Sequence, residues 1–291
     1  MTIFNLGSIN ADLVYRVPHL PAPGETLAAT GFTRGLGGKG ANMSVAAARA
    51  GARCVHIGAV GGDGVWALDR LTEYGVDTRQ IAKSDEATGH AIIAVDEAGE
   101  NAIILHPGAN AALKKVGLIN ALAEAQAGDF FLTQNETTLQ AEGARMAQAK
   151  GLRVAYAAAP FEADAVQAVL PFLDLLVLNA VEAAQLEDAT EKSVADLSVK
   201  DIVVTLGADG CRWYETEEKT VQDFPAFKVD PVDTTGAGDT FTGYLIAGLD
   251  RGMPMEQAIR LASKAGALMV TRLGTADVIP DLKDVQDASF N

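Results

Sequence analysis

Two glycine-rich turns, each leading into a helical pattern, carry the residue types most suited to chemistry. The first spans residues 35–42 (GLGGKGAN) and the second spans residues 233–243 (DTTGAGDTFTG). Glycines let a ligand approach the backbone closely, and the first amides of a helix have no acceptor within the helix. Both turns could therefore bind an anion or a small polar molecule at a helix N-terminus.

The first turn has several interpretations. A Walker A loop is excluded, because Thr33 stands at the position of its first glycine and Gly40 follows Lys39 where Ser or Thr is required. A dinucleotide fingerprint is formally present at Gly35, Gly37 and Gly40, with Asp63 downstream as the ribose-binding acid. The preceding residues, GETLAATGFTR, are polar and small, whereas that motif follows an apolar strand. A polar substrate site using Lys39 and Asn42, or a flexible turn before a helix, remain open alternatives.

The second turn is the more specific signal. Amides of Gly236, Ala237 and Gly238 could converge on an anion, with the carboxylate of Asp239 beside them. In the alternative interpretation Thr235 caps an ordinary helix and Asp239 complements its dipole, which leaves the run of small residues unexplained. We favour an anion hole whose carboxylate takes a proton from a hydroxyl during phosphoryl transfer. The helix dipole is expected to lower the pKa of Asp239.

With both turns in place, the chain resembles the ribokinase-like carbohydrate kinases almost end to end. The supporting segments are GSINAD (7–12), PGET (23–26), ATG (87–89), GENAIILHPGANAAL (99–113), LNAVEA (178–183), TLGADG (205–210) and VTRLG (270–274). The resemblance implies an α/β fold of three layers, with a mostly parallel central sheet flanked by helices and a small β-sheet lid. It also implies ATP with Mg²⁺, activation by K⁺ and a homodimer formed through the lids.

The activity implied is transfer of the ATP γ-phosphate to the primary hydroxyl of D-ribose. The same chemistry on deoxyribose, fructose, another ketose or a nucleoside is the nearest alternative. A non-catalytic sugar- or nucleotide-binding protein and a nicotinamide-dependent oxidoreductase are alternatives from other classes.

The resemblance also implies roles for individual residues. Asp239 matches the catalytic base, and Gly236, Ala237 and Gly238 match the anion hole. Sugar-contacting positions are Asn10, Asp12, Gly38, Lys39, Asn42 and Glu136. Nucleotide-binding positions are Asn179, Thr205, Gly207 and Gly210. Glu182 matches the residue that organises magnesium through water, and Asp233, Thr235, Arg272 and Gly274 match the monovalent-cation site.

Four positions depart from the family pattern. Trp66 replaces a glycine, and Val278 stands where a hydroxyl is expected at the cation site. Asn135 replaces an apolar residue beside Glu136, close enough to alter sugar specificity. Lys264 replaces a smaller polar residue near the expected adenine pocket, where it is predicted to contact the nucleotide.

The elements that must position these residues alternate between short apolar runs and helical patterns, which predicts βαβ units. Predicted strands are 3–6, 54–60, 129–134, 152–157, 175–179 and 201–207. Predicted helices are 41–51, 66–75, 113–127, 139–151, 238–250 and 255–271. We predict one kinase domain over residues 1–291, with a lid from about 12–34 and 88–106. The alternative is that these two stretches merely extend the sheet edge.

Composition limits the partners. The 291 residues are 48% hydrophobic and carry a formal charge of −15, which disfavours nucleic acid and anionic membranes as partners. No signal-like or membrane-spanning pattern is evident, so we expect a cytoplasmic protein. The cysteines, Cys54 and Cys211, are expected to be free and buried, and the four histidines lack metal-ligand spacing.

Overall fold

The structure is a computed structural model and describes residues 1–290. Its first strands are β1 (Thr2–Leu6), β2 (Asn10–Arg16), β3 (Gly31–Gly37), β4 (Arg53–Val60), β5 (Ile81–Lys83), β6 (Gly89–Val95) and β7 (Asn101–His106). The later strands are β8 (Phe130–Gln134), β9 (Arg153–Ala157), β10 (Leu175–Asn179), β11 (Asp201–Thr205), β12 (Cys211–Glu215) and β13 (Thr220–Phe224). The helices are α1 (Lys39–Arg49), α2 (Val65–Glu73), α3 (Lys115–Ala123), α4 (Gln140–Ala149), α5 (Ala163–Val169), α6 (Ala180–Thr190), α7 (Ala237–Asp250), α8 (Met255–Met269) and α9 (Leu282–Asp287).

A nine-stranded sheet forms the centre, in the order β13-β12-β11-β10-β9-β8-β1-β4-β5. The seven strands from β11 to β5 in this order pair in parallel, and the hairpin β12–β13 adds two antiparallel strands at one edge. Apart from the short edge strand β5, the parallel strands are mostly buried, which explains their continuous apolar runs such as LLVLN. Their carboxyl ends share one edge, where ligands of open α/β sheets bind.

Helices cover both faces of this sheet and close two separate apolar cores. One core joins the sheet to α1, α2, α7, α8 and α9, and the other joins it to α3, α4, α5 and α6. Alternate residues of β1 serve the two cores: Ile3 enters the first, whereas Phe4 and Leu6 enter the second. This confirms the predicted three-layer arrangement.

A second, four-stranded sheet stands apart, in the order β3-β2-β6-β7. β2 pairs antiparallel with β3 and parallel with β6, and β6 pairs antiparallel with β7. The predicted segment 88–106 covers β6 and β7 with the turn between them. The predicted segment 12–34 covers most of β2, the connection that follows it and the start of β3, since β2 begins at Asn10 and β3 ends at Gly37. The alternative that they extend the main sheet is wrong.

All six predicted strands and six predicted helices are present, with small shifts at their ends; α3, for example, stops at Ala123. The sequence analysis missed α5, α6, α9, the short strand β5 and the hairpin β12–β13. Both cysteines are free and buried, as predicted. None of the helices within residues 1–290 combines the length and apolar character needed to cross a lipid bilayer.

Candidate active site

The two glycine turns meet because α1 and α7 pack closely against each other. A side chain at Gly243 of α7 would collide with Ala46 and with the carbonyl of Met43 in α1. This close approach brings Asn42, in the first turn of α1, to Asp239, in the first turn of α7. The Asn42 amide donates to the Asp239 carboxylate at 2.8 Å, and both residues are buried, with exposures of 5% and 7%.

Asp239 does not have the lowered pKa expected from the helix dipole. Burial raises its pKa and Glu136 adds to that effect, whereas Lys39 and the hydrogen bond from Asn42 act in the opposite direction. That prediction is wrong because removing a carboxylate from water opposes its ionisation more strongly than the helix end supports it. A carboxylate with a raised pKa is a better proton acceptor than an exposed one.

The small sheet supplies Asn10 and Asp12 from the start of β2. Asp12 lies directly over Gly37 of the neighbouring strand, where any side chain would overlap its carboxylate. Burial raises the pKa of Asp12 to about 6, and the charges of Glu136 and Asp239 contribute. Gly38 has φ 89°, a conformation that favours glycine, and turns the chain from β3 into α1.

Glu136 and Lys39 complete this polar end of the cleft. One carboxylate oxygen of Glu136 accepts from the Ser8 hydroxyl at 2.5 Å and from the Lys39 amide at 2.9 Å. The Lys39 side chain has a raised pKa, chiefly because of Asp239 and against the effect of burial. The Lys39 ammonium therefore lies among the carboxyl groups of Asp239, Glu136 and Glu182. The Asp12 carboxyl lies near two of these, Glu136 and Asp239.

The N-terminus of α7 offers backbone donors beside Asp239. Gly236 is the N-cap, with φ 74° and no side-chain capping bond, so the alternative in which Thr235 caps this helix is wrong. The amide of Ala237 already donates to the Thr234 carbonyl at 3.2 Å. The amides of Gly236, Gly238 and Asp239 have no acceptor within residues 1–290. Three of the four amides are thus free to bind an anion.

At the adjoining strand ends, Asn179 and Glu182 form a reciprocal capping box at the start of α6, with bonds of 2.8 and 2.9 Å. This local role was not foreseen for the pair. Only one oxygen of Glu182 is used, and burial is the main cause of its raised pKa. Thr205 ends β11, and the turn beyond it requires glycine: Gly207 has φ 61° and Gly210 has φ 101°.

Asp233 ties together the two loops of the predicted cation site. Its carboxylate accepts from the Thr235 amide at 2.9 Å and from the Gly274 amide at 3.2 Å. The guanidinium of Arg272 faces elsewhere, donating to the Val278 carbonyl and to Asp284. The side chain of Val278 lies beside Gly274, so an apolar group occupies the place of the expected hydroxyl.

Three other departures from the family pattern have structural partners. The Lys264 ammonium donates to the Gln286 carbonyl at 3.0 Å and so holds the C-terminal segment. The Asn135 side chain donates to the Pro160 carbonyl at 2.9 Å. Trp66 lies on α2 under the guanidinium of Arg34, which is 4.3 Å from its ring centroid.

The dinucleotide interpretation is wrong on this geometry. Gly35 and Gly37 lie within β3, an antiparallel strand of the small sheet, and not in a strand-to-helix turn of the main sheet. The Asp63 carboxylate is occupied by the amide and hydroxyl of Thr88, at 3.0 and 2.8 Å.

Sequence reasoning missed two residues that the structure places at the site. Ser8 is fully buried and bonds to Glu136. Asn110, also buried, donates to the Asn10 side chain at 2.8 Å across 100 residues of chain. Both residues lie within segments that carry the family resemblance, GSINAD and GENAIILHPGANAAL, but the sequence does not show their roles because each acts through a partner distant in sequence.

Comparison with known proteins agrees with this geometry. The family model for pfkB family carbohydrate kinases matches residues 2–282. A ribokinase of Haemophilus influenzae is 35% identical, over 96% of this chain and 95% of its own. The crystal structure of a Cryptococcus neoformans ribokinase in complex with ADP superposes with a TM-score of 0.88 at 33% identity, covering 98% of this chain and 99% of that one.

A second solved structure, an Arabidopsis thaliana ribokinase complexed with ribose and ATP, has a TM-score of 0.84 at 26% identity and covers 99% of both chains. The resemblance found in the motifs therefore extends over the whole fold. This chain belongs to the pfkB family of carbohydrate kinases.

Proposed function

We propose that this chain transfers the γ-phosphoryl group of ATP to the primary hydroxyl of D-ribose, giving ribose 5-phosphate. The observation that carries the proposal is the buried carboxylate of Asp239, held at 2.8 Å by Asn42 beside three free amides. A proton acceptor next to an anion hole is what phosphoryl transfer to an alcohol needs. The ribokinases among the relatives support ribose as the acceptor.

Sugar binds between the small sheet and α1 in this proposal. The carboxyl oxygens of Asp12 and Glu136 accept hydrogen bonds from hydroxyls, whereas Lys39, Asn42 and Asn10 donate to them. Gly38 lets the sugar approach the backbone. Each of these residues is buried or half-buried, so a bound sugar exchanges water for protein partners at most of its hydroxyls.

In the transfer itself, Asp239 receives the proton of the attacking hydroxyl. Gly236, Ala237 and Gly238 form the anion hole. The amides of Gly236, Gly238 and Asp239 are free to donate to the phosphoryl group. The Ala237 amide already donates to the Thr234 carbonyl and must share its hydrogen between the two acceptors. Fixed donors aimed at the transferring phosphoryl group need no reorganisation as charge develops. Lys39 stays protonated, since its pKa is raised, and adds positive charge.

ATP is proposed to bind along the carboxyl ends of β10 and β11, at Asn179, Thr205, Gly207 and Gly210. Lys264 contributes less to ATP binding in this proposal, because its ammonium already donates to the Gln286 carbonyl. No three His, Cys, Asp or Glu side chains in residues 1–290 are grouped to hold a metal. The free oxygen of Glu182 nonetheless suits a water-mediated contact. Mg²⁺ bound mainly by phosphates and water would neutralise phosphate charge there.

A monovalent cation, K⁺ by resemblance, is proposed to bind between the loops of Asp233 and Gly274. The carbonyl oxygens of Thr235, Arg272 and Gly274 accept no hydrogen bond within residues 1–290, so they are available as ligands. Oxygen ligands suit such a cation, and its binding would hold the loop that precedes α7.

The small sheet is proposed to act as a lid over the sugar and as the contact in a homodimer. Its edge strand β7 is exposed throughout, including Ile103, Ile104 and Leu105. An exposed apolar edge strand is a surface that proteins cover by pairing. We expect the enzyme to act in the cytoplasm, where ATP is supplied.

The test is ADP release with ATP and Mg²⁺ against a panel of pentoses, ketohexoses and nucleosides, with K⁺ or Na⁺ as the counter-ion. Preferential turnover of D-ribose is the expected result, faster in K⁺ than in Na⁺. Faster turnover of deoxyribose, fructose or a nucleoside would keep the kinase and replace its substrate. No turnover of any acceptor would favour a binding protein.

Replacing the proposed base gives a sharper test. Asp239→Asn should lower kcat about 10³-fold, because general-base contributions of about 10²–10⁴ are typical, and should leave sugar binding measurable by calorimetry. Asp250→Asn, which alters another buried acid of the same helix, is the matched control and should keep its activity. An unchanged rate in Asp239→Asn would remove Asp239 from the mechanism.

A further inference from the structure

The buried side chain of Asn110 is not among the proposed sugar contacts, but it is hydrogen-bonded to one of them, Asn10. Asn110 follows β7, where the chain leaves the small sheet, and is 1% exposed. Its Oδ1 accepts from the Ile9 amide at 2.9 Å. Its Nδ2 donates to the Ile9 carbonyl at 3.3 Å and to Oδ1 of Asn10 at 2.8 Å.

These three bonds determine which way both side-chain amides face. The Ile9 N–H can only donate, so the Asn110 atom facing it must be the oxygen. The other end of that amide is then the nitrogen. Because one of its hydrogens is donated to the Ile9 carbonyl and the other faces Asn10, Asn10 must turn its oxygen towards it. A reversed Asn10 would set two NH₂ groups against each other and lose the bond.

The backbone makes room for this pair. Gly89, opposite Asn10 in the register of β2 and β6, lies directly beneath it. A side chain there would overlap the Asn110 nitrogen and stand 2.5 Å from Oδ1 of Asn10. The consequence is that Nδ2 of Asn10 is turned away from Asn110, and within residues 1–290 it has no acceptor.

We propose that Asn110 is a positioning residue that locks Asn10 with its NH₂ group towards the sugar. The inference rests on the proposed function, since it assumes that Asn10 contacts the acceptor sugar. The site then presents a donor at Asn10 close to an acceptor at Asp12, two residues along the same strand face. A free Asn10 amide would offer either its donor or its acceptor and would bind a given hydroxyl less tightly.

The experiment is a double-mutant cycle read by calorimetric sugar binding without ATP, at pH 8. The probe is the sugar that the wild type turns over fastest, D-ribose by expectation. Asn110→Ala should weaken binding about tenfold, equivalent to about 1.4 kcal/mol, and Asn10→Ala at least as much. The double variant should bind no more weakly than Asn10→Ala alone, because Asn110 acts only through Asn10.

The matched control is Asp129→Asn, which alters another buried side chain that binds backbone amides, those of Thr2 and Gln126 at the opposite end of the sheet. It should lower the melting temperature and leave sugar binding unchanged. If Asn110→Ala lowers sugar affinity by the same factor in the wild type and in the Asn10→Ala background, Asn110 has a structural role and the proposal is overturned. Wild-type affinity in Asn110→Ala would also overturn it. If that variant does not fold, Asn110→Leu keeps the volume and is carried through the same cycle.

Failure of the proposed function gives a different result. In that case the wild type turns over no sugar, or Asn10→Ala binds as tightly as the wild type, whatever Asn110 does. Loss of binding in Asn10→Ala without any effect of Asn110 would refute the positioning role alone.

Discussion

Two carboxyl groups at this site, those of Asp12 and Asp239, have pKa values raised by their surroundings. Asp12, Glu136 and Asp239 each lie within electrostatic reach of Lys39 or of one another. Burial raises the pKa of Asp12 and of Asp239, because both are removed from water. The protonation of these side chains should therefore be visible in the pH dependence of sugar binding.

Sugar affinity should fall as the pH drops below about 6, the raised pKa of Asp12. Below that value the carboxyl is protonated and loses acceptor capacity, so affinity should fall about tenfold between pH 8 and pH 5, with most of the loss below pH 6. The measurement is a calorimetric series with D-ribose from pH 5 to pH 8. The wild type is compared with Asp239→Asn and with Asp12→Asn.

In Asp239→Asn the acidic limb should persist but move to lower pH, because the charge of Asp239 contributes to raising the pKa of Asp12. In Asp12→Asn the limb should disappear. A limb that survives unchanged in Asp12→Asn would assign the titration to another group.

At the scale of elements, the site is a junction between two helix N-termini and the first strand of the small sheet. Glycines make the junction possible: Gly243 lets α7 approach α1, and Gly40 lets α1 pack on the backbone of Gly7. Gly238 differs from them, since a methyl group there would meet nothing within 4 Å. The fold therefore does not need glycine at that position, whereas an anion hole does.

Gly238→Ala should separate stability from function. Alanine removes backbone freedom from the unfolded chain and should raise the free energy of unfolding by about 0.4–1 kcal/mol. Its methyl group should obstruct the phosphate and lower kcat/KM for ATP about tenfold or more. The measurements are chemical denaturation and steady-state kinetics.

Gly117→Ala is the matched control, because Gly117 also lies in the first turn of a helix with open space around it. It should gain stability and keep full activity. Full activity in Gly238→Ala would contradict an anion hole at this helix end.

At the scale of the molecule, the small sheet is proposed to have two functions, covering the sugar and pairing subunits. Its strands β2 and β3 carry Asp12 and the backbone before Gly38, whereas its edge strand β7 exposes apolar side chains. Ile104 is 67% exposed on this strand. A second copy of the chain is the proposed cover for this surface.

Ile104→Lys should shift the protein from dimer to monomer in sedimentation or size-exclusion experiments, because a buried lysine at the interface would need a partner. The subunit fold and its melting curve at low concentration should change little, since the side chain is exposed. Val116→Lys, at a 60% exposed position on α3, is the control and should remain dimeric. A monomeric wild type would contradict the dimer proposal directly.

The sequence by itself determined the fold class, the positions of the main strands along the chain and the two turns of the candidate site. Buried parallel strands require continuous apolar runs, and helix starts near ligands require small residues, so both leave local marks in a sequence such as LLVLN or GAGD. The resemblance of the motifs also indicated the family.

Only the tertiary structure decided how the site residues act on one another. The raised pKa of Asp239 depends on burial by helices distant in sequence, and the bond from Asn110 to Asn10 spans 100 residues. The alternative in which Thr235 caps α7 was excluded only by the backbone conformation, which makes Gly236 the N-cap. Hydrogen-bond partners and desolvation arise from three-dimensional packing, which no local window of the sequence contains.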